Sequence, residues 1–359
     1  MRLPMLASGE VDTQQFAQMV DLFLESGFNY FDTAHGYLDG KSETALRECL
    51  TDRYPRERYI LTDKLTDTYF NCEEDVRTIF QKQLDILGVS YFDFYLMHAQ
   101  TKDIFQKFQK CKAYETSFAL KAEGKIHHIG ISFHDKAEVL EEILSTYPAI
   151  EAVQLQFNYA DYDDAGIESR KCYEVCVKHK KPVLVMEPVK GGKLVKLPSE
   201  AQMVFDALHG GSNASYAIRF AAGFPQVMEV LSGMSDLSQM RDNLSFMKDF
   251  KPLDAKEMDA VHKVNEVFQT QHLIQCTACH YCTAGCPKHI PIPDLFADLN
   301  SENQYKDGDG GWLYAIHTKG KGKASDCIKC GKCEHSCPQH LPIRELLVAV
   351  AKAFEKSVR

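Results

Sequence analysis

One spacing pattern constrains this chain more than any other. Cys-x-x-Cys-x-x-Cys-x-x-x-Cys-Pro occurs at Cys276, Cys279, Cys282 and Cys286, and again at Cys327, Cys330, Cys333 and Cys337. Three thiolates so spaced wrap one face of an iron–sulfur cubane, and the fourth, released by the turn at proline, reaches the other cluster. The spacing predicts two 4Fe–4S clusters, one on Cys276, Cys279, Cys282 and Cys337, the other on Cys327, Cys330, Cys333 and Cys286. Zinc sites use paired C-x-x-C units, not quartets ending in Cys-Pro. The other five cysteines of thirteen (Cys49, Cys72, Cys111, Cys172, Cys176) are scattered. Metal-type runs with scattered thiols fit a reducing cytoplasm better than a disulfide scaffold.

At 359 residues the chain exceeds one typical core, which suggests a large domain plus a smaller one. A formal charge of −9 leaves no basic footprint for nucleic acid or anionic lipid. No run approaches the roughly 18 apolar residues of a membrane span, and Met1-Arg2-Leu3-Pro4 does not open a secretory signal. The expected division is a barrel-type domain over 1–252, a connector helix over 253–275 and the cluster module over 276–359.

Before the cysteine runs, strand-length apolar segments alternate with helix-period ones, the pattern of βα units on a parallel sheet. A helix is predicted from Asp12, with Gln15 completing a capping box and Phe16, Met19, Val20, Phe23 and Leu24 on one face. Seven strands follow at Phe28–Asp32, Tyr59–Lys64, Phe92–His98, Ile126–Ser132, Ala152–Gln156, Val183–Glu187 and Val227–Ser232. Asp32, Lys64, His98 and Ser132 close four successive strands at intervals of 32, 34 and 34 residues. In a parallel barrel such ends open on one face, where active sites are built.

Here the chain resembles the aldo-keto reductases, in the branch that carries a C-terminal two-cluster ferredoxin-type domain. The resemblance rests on Asp32-Thr33-Ala34-x-x-Tyr37, Thr62-Asp63-Lys64-Leu65, Asp93-Phe94-Tyr95-Leu96-Met97-His98, Gly130-Ile131-Ser132, Ala152-Val153-Gln154, Met186-Glu187-Pro188-Val189-Lys190-Gly191-Gly192, and Leu231-Ser232-Gly233-Met234-Ser235 leading to Asn243. It implies an α/β fold, a (β/α)8 TIM-type barrel joined to a small α+β ferredoxin-like 4Fe–4S domain. It also implies reversible reduction of a small carbonyl to an alcohol. Tyr37 would give the proton, Lys64 would lower the phenol's ordinary pKa near 10, Asp32 would hold Lys64, and His98 would hydrogen-bond the carbonyl oxygen.

Ser132, Gln154, Met186, Ser232 and Asn243 fall where the family binds nicotinamide. Three departures accompany them: Phe133 and His134 follow Ser132 where an asparagine is usual, Met186 replaces a stacking aromatic, and Gln239 takes the place of an arginine that grips a 2′-phosphate. NAD(H) is therefore expected over NADP(H). Ahead of the first helix only Met1–Pro4 are left for a strand, so the barrel's first strand is expected to be missing or truncated, either by a start downstream of the true one or by a gapped seven-stranded barrel.

Nicotinamide moves two electrons together, whereas each cluster takes one. No residue identifies a flavin. The clusters then exchange electrons through an unseen flavin or a partner, serve as structure or redox sensors, or the barrel uses another carrier. The alternative function is an electron-transfer protein whose barrel is a docking scaffold. The long stretch 288–326, with helix-like Asp294–Leu299, Asp307-Gly308-Asp309-Gly310-Gly311 and Trp312, either caps a cluster or docks a redox partner protein. Ser42 reads as a helix cap, and Gly191-Gly192 as a phosphate approach or an ordinary loop.

Overall fold

The computed structural model describes residues 2–208, 210–270, 273–305 and 309–355. Met1, Asp307 and Gly308, named above, lie outside them. The chain divides into two compact units. The first comprises 1–164, 168–188 and 214–254; the second comprises 165–167, 189–213 and 255–359. The second thus takes the segment after the sixth strand as well as the C-terminal module.

In the first unit α1 spans Thr13–Glu25. Asp12 caps it by accepting from the Gln15 amide at 2.9 Å. The expected capping box is one-sided, because the Gln15 amide group turns to the Asp12 carboxylate (3.3 Å) instead of the backbone. Phe16, Met19, Val20 and Leu24 are buried, and the chain turns at Gly27 with φ +89°.

Seven parallel strands pair in sequence order: β1 Tyr30–Asp32, β2 Ile60–Leu65, β3 Phe92–Gln100, β4 Ile126–Phe133, β5 Ala152–Gln156, β6 Val183–Met186 and β7 Val227–Val230. Most read as continuous apolar runs, as expected when helices cover one face and strands curl over the other. Each expected strand is found within two residues at either end. An apolar layer of Tyr30, Leu96, Ala152 and Leu184 lies among β1, β3, β5 and β6. Gly130 on β4 is needed there, since a Cβ would meet Leu96 Cδ2 at 2.6 Å and the Ala152 carbonyl at 2.7 Å. The expected end of β3 at His98 is extended by a register shift between Met97 and Gln100, where Ala99 takes φ +53°. That irregularity re-aims the strand end beside the site, as bulges do. One helix on the far side of β2 matters below, α2 (Lys41–Leu46).

The second unit holds a core of its own, in which Ile274, Ile290, Ile292, Leu295, Phe296, Ile343 and Leu347 pack with Cys282 and Cys333. Its regular structure among the described residues is helical, where the resemblance implies α+β. The apolar stretches beside the quartets run into Pro291 and Pro342, which cannot donate to a ladder. The helix expected over Asp294–Leu299 extends to Ile292–Tyr305. Trp312, on the helix Asp309–His317, is 66% exposed. Among the described residues no helix is long and apolar enough to cross a membrane.

Candidate active site and cysteine centres

The ends of β1, β2 and β3 interlock. Lys64 is wholly buried, and its Nζ donates to Asp32 Oδ1 at 2.5 Å and to the Thr33 carbonyl at 2.8 Å. The same ammonium lies 4.9 Å from the centre of the Tyr37 ring. Tyr37 is carried on the loop after β1, and its hydroxyl is 3.4 Å from His98 Nε2, with the two rings edge to face. His98 Nδ1 pairs with Thr66 Oγ1 at 2.7 Å. Burial, then the Lys64 charge, hold the His98 pKa well below its ordinary value. The imidazole is therefore neutral; were the Thr66 hydroxyl the donor to Nδ1, the proton would sit on Nε2, facing Tyr37.

The expected lowering of the Tyr37 pKa is not what these surroundings do. Burial is the largest influence, followed by the charges of Asp32, Asp63 and Glu187, and together they raise the phenol well above 10. Desolvation and carboxylates both disfavour a phenolate, and the Lys64 charge is already engaged by Asp32.

The remaining expected residues lie further round the strand ends. Gln154 is buried and donates to Asp32 Oδ2 at 3.1 Å, so its amide hydrogen serves the carboxylate. Ser132, paired in register with Gln154, is 1% exposed, and its hydroxyl has no partner among the described residues. Met186 ends β6. Asn243 donates to Ser232 Oγ at 2.9 Å, tying the helix Leu237–Met247 to the loop after β7. Gln239 folds back on the start of that helix, donating to Asp236 and accepting from the Ser235 amide.

Behind this rim lies a layer that the motif reading missed. Asp63, next to Lys64 on β2, faces the opposite way; it and Glu43 of α2 are both wholly buried. Glu43 Oε1 and Asp63 Oδ2 are both buried without a hydrogen-bond partner among the described residues, and the Glu43 charge disfavours ionisation of Asp63. Burial is the main cause of the rise in both, taking Glu43 to about 7 and Asp63 well above its ordinary value. Glu43 Oε2 also pairs with His35 Nδ1 at 2.7 Å. Ser42 is not the expected cap: Gly40 occupies that position, and the buried Ser42 hydroxyl meets Thr33 Oγ1 at 2.8 Å. Thr33 and His35 belong to the loop that carries Tyr37. The signal was present in the sequence, as Ser42-Glu43 and Asp63 beside motif residues, but only the fold brings them together.

In the second unit the two quartets share one backbone conformation. Positive φ recurs at Ala278 and Lys329, at His280 and Gly331, and at His289 and His340, each pair equivalently placed after Cys276 or Cys327. A short helix follows in each, Tyr281–Ala284 and Lys332–His335. Left-handed residues alternating with right-handed ones turn successive amides inward, a geometry that suits an anion; the Ala278 amide already lies 3.4 Å from Cys276 Sγ. One cavity is lined by Cys276, Cys279, Cys282 and Cys337, with Ile292, Phe296 and Ile343 among its walls. None of the thirteen cysteines is in a disulfide. Among the described residues no three His, Cys, Asp or Glu side chains converge to hold a single ion. Four cysteines around one cavity are the donor set that a 4Fe–4S cluster takes, so the residues of this quartet fit that group.

Comparison with known proteins bears on both units. Residues 3–266 match the profile of the aldo/keto reductase family, and residues 275–341 that of a 4Fe-4S dicluster domain. The chain belongs to the aldo/keto reductase family. Its relatives include an aldo-keto reductase of Mycobacterium avium, 23% identical over 76% of this chain and 89% of that protein. Another is the NADH-specific methylglyoxal reductase of Escherichia coli, 29% identical over 43% of this chain and 51% of that protein. Among solved structures, an aldo-keto reductase from Klebsiella pneumoniae in complex with NADPH superposes with a TM-score of 0.60 at 20% identity, covering 74% of this chain and 90% of that one. Holo AKR11C1 from Bacillus halodurans gives 0.59 at 22% identity, covering 73% and 91%. At those identities the likeness speaks for the fold. This aldo/keto reductase is an oxidoreductase with an iron–sulfur domain.

Proposed function

We propose that the barrel unit reduces a small carbonyl compound to its alcohol, or runs the reverse, with Tyr37 as proton donor. The observation that carries this reading is the single connected group in which Lys64 joins Asp32 at 2.5 Å, underlies the Tyr37 ring at 4.9 Å, and Tyr37 meets His98 at 3.4 Å. A bound nicotinamide would supply hydride to the carbonyl carbon. A carbonyl oxygen placed beside both groups, which lie 3.4 Å apart, would accept from His98 Nε2–H and the Tyr37 hydroxyl. Tyr37 keeps its proton at neutral pH and releases it only as negative charge builds on that oxygen. Lys64 then lies under the ring that becomes anionic, and Asp32 and Thr33 hold it there.

Ser132, with an unpartnered buried hydroxyl, and Gln154 are assigned to the nicotinamide carboxamide; Met186 packs on the ring; Ser232 and Asn243 support the far end of the cofactor. NADH is preferred, because Gln239 carries no charge and is folded onto Asp236. Arg2 is a competing cation, since its side chain lies 3.3 Å from where a Gly233 Cβ would stand. NADPH binding at least tenfold tighter than NADH would end that preference. The clusters are held by Cys276, Cys279, Cys282 and Cys337, and by Cys327, Cys330, Cys333 and Cys286; they exchange single electrons with a redox partner protein. No residue offers a flavin signature. The comparisons do not favour the barrel as a mere docking scaffold.

The test is Tyr37→Phe in the purified holoprotein, assayed with methylglyoxal and NADH. Loss of a general acid lowers kcat about 10²–10⁴-fold. Cluster reduction by dithionite should be unaffected. A variant retaining full carbonyl reduction removes Tyr37 from the chemistry.

A further inference from the structure

We propose that Lys190 and Lys193 hold the cluster of Cys276, Cys279, Cys282 and Cys337 at the higher reduction potential, making it the electron sink of the pair. The inference rests on the crossed ligation proposed above.

Three observations within the second unit carry it. Lys190 is 2% exposed and its Nζ donates to Gln339, two residues past Cys337, at 3.2 Å. Lys193 Nζ donates to the carbonyl of Ile274, two residues before Cys276, at 2.6 Å. Between them, Gly191 lies so close to the cysteine loop that a Cβ would stand 2.5 Å from the Thr277 carbonyl. Lys190, Gly191 and Gly192 all take positive φ. A non-glycine residue held in that region by its surroundings marks a segment whose shape is over-determined. The close approach that two adjacent glycines suggested is therefore made to protein backbone beside a cluster ligand, and it delivers two ammonium groups there.

The second quartet is furnished differently. Lys329 and Lys332 are exposed, and so is Cys330. Glu334, next to Cys333, is already paired with Arg344 at 2.7 Å. Burial differs at Cys330, exposed where Cys279 is half-buried, while Cys282 and Cys333 are equally buried. Charge differs more. A cation in low dielectric acts on a nearby anion several-fold more strongly than one in water, and cluster potentials follow local charge. Reduction adds one negative charge to a cluster, which the inward lysines favour. In the transfer that results, the Cys327-side cluster loses one electron and the Cys276-side cluster gains it; no bond breaks and no proton moves.

The experiment is a potentiometric titration of the full-length holoprotein, followed by electron paramagnetic resonance, with iron and sulfide content measured alongside. Two one-electron waves are expected. Lys190→Gln and Lys193→Gln should each lower the higher wave, and the double variant should lower it by at least a tenfold change in the oxidised-to-reduced ratio, which is 59 mV for one electron. The lower wave should stay in place. Lys193→Arg, which keeps the charge, should retain the wild-type potential even where packing is disturbed. Lys329→Gln with Lys332→Gln should move only the lower wave, and by less. Unmoved waves in the double variant, or both waves falling together, would overturn the role of the lysines while leaving the ligation intact. Iron and sulfide for a single cluster would instead remove the ligation reading on which it stands.

Discussion

The two halves of the barrel rim differ in how much of their polar chemistry is already spent. Along β1 to β3, Lys64 bonds to Asp32 and lies 4.9 Å from the Tyr37 ring centre, and Tyr37, His98 and Thr66 are joined by hydrogen bonds. Along β4 to β7, Ser132 has no partner among the described residues, and Ser232, Asn243 and Gln239 bond only locally. The first half is organised before any ligand arrives. The second keeps at least one buried hydroxyl in reserve, and a buried polar group left unsatisfied costs about 1–3 kcal/mol. Preorganised groups belong where charge develops in a reaction; an unsatisfied one belongs where a ligand supplies the missing partner.

The largest effect should come from breaking the organised half at its centre. Lys64→Met leaves Asp32 without its cation inside a largely closed space. Removing one member of a buried pair costs about 3–5 kcal/mol. Denaturant unfolding should show that loss, and carbonyl reduction should vanish in the protein that still folds. If Lys64→Met were as stable as the parent, Asp32 would be solvated and the first half would not be a closed network.

How much of this was legible in the sequence follows the same division. The strands, their order and Asp32, Lys64, His98 and Ser132 at their ends could be read because strand period and polar termini are local patterns. Tyr37 and the nicotinamide residues came from motif resemblance alone. The Glu43–Asp63 pair could not be read, because its members are twenty residues apart and meet only when α2 packs on the outer side of β2. Ser42 misled for a related reason: α2 begins two residues earlier than a serine cap requires, so its hydroxyl turns inward to Thr33. The direction of the Tyr37 shift was missed because a charge count sees Lys64 and not the desolvation that outweighs it. The cysteine quartets were legible in spacing, whereas Lys190 and Lys193 beside them were not, since that segment follows a barrel strand in sequence.

A smaller effect tests the layer beneath the organised half. The folded-state pKa of Glu43 is raised to about 7 by burial, against roughly 4.3 in an unfolded chain. Between those values the unfolded chain has lost its proton and the folded one retains it, so stability falls as pH rises. It is full below the lower value and levels off above the higher. Glu43→Gln, which cannot ionise, should show a shallower fall in melting temperature from pH 4.5 to 7. Identical slopes in the two proteins would mean that Glu43 is already charged when folded, and burial would not have raised its pKa.

The smallest effect is expected from the open half, and it distinguishes a reserved hydroxyl from an incidental one. Ser132→Ala removes a buried group that has nothing to bond in the ligand-free protein. Stability should therefore hold or rise slightly, because a desolvated hydroxyl disappears while the volume hardly changes. Binding should move the other way. One neutral hydrogen bond contributes about 0.5–1.5 kcal/mol, which is roughly a three- to tenfold weaker Kd for NADH, with kcat at saturating cofactor little altered. Titrating NADH by fluorescence quenching and following melting on the same samples gives both quantities. A variant less stable than the parent would show that Ser132 already has a use in the free protein, and the two halves of the rim would then not differ in kind. A stable variant with unchanged Kd would leave the halves distinct but move the carboxamide contact away from β4, toward Gln154 or backbone.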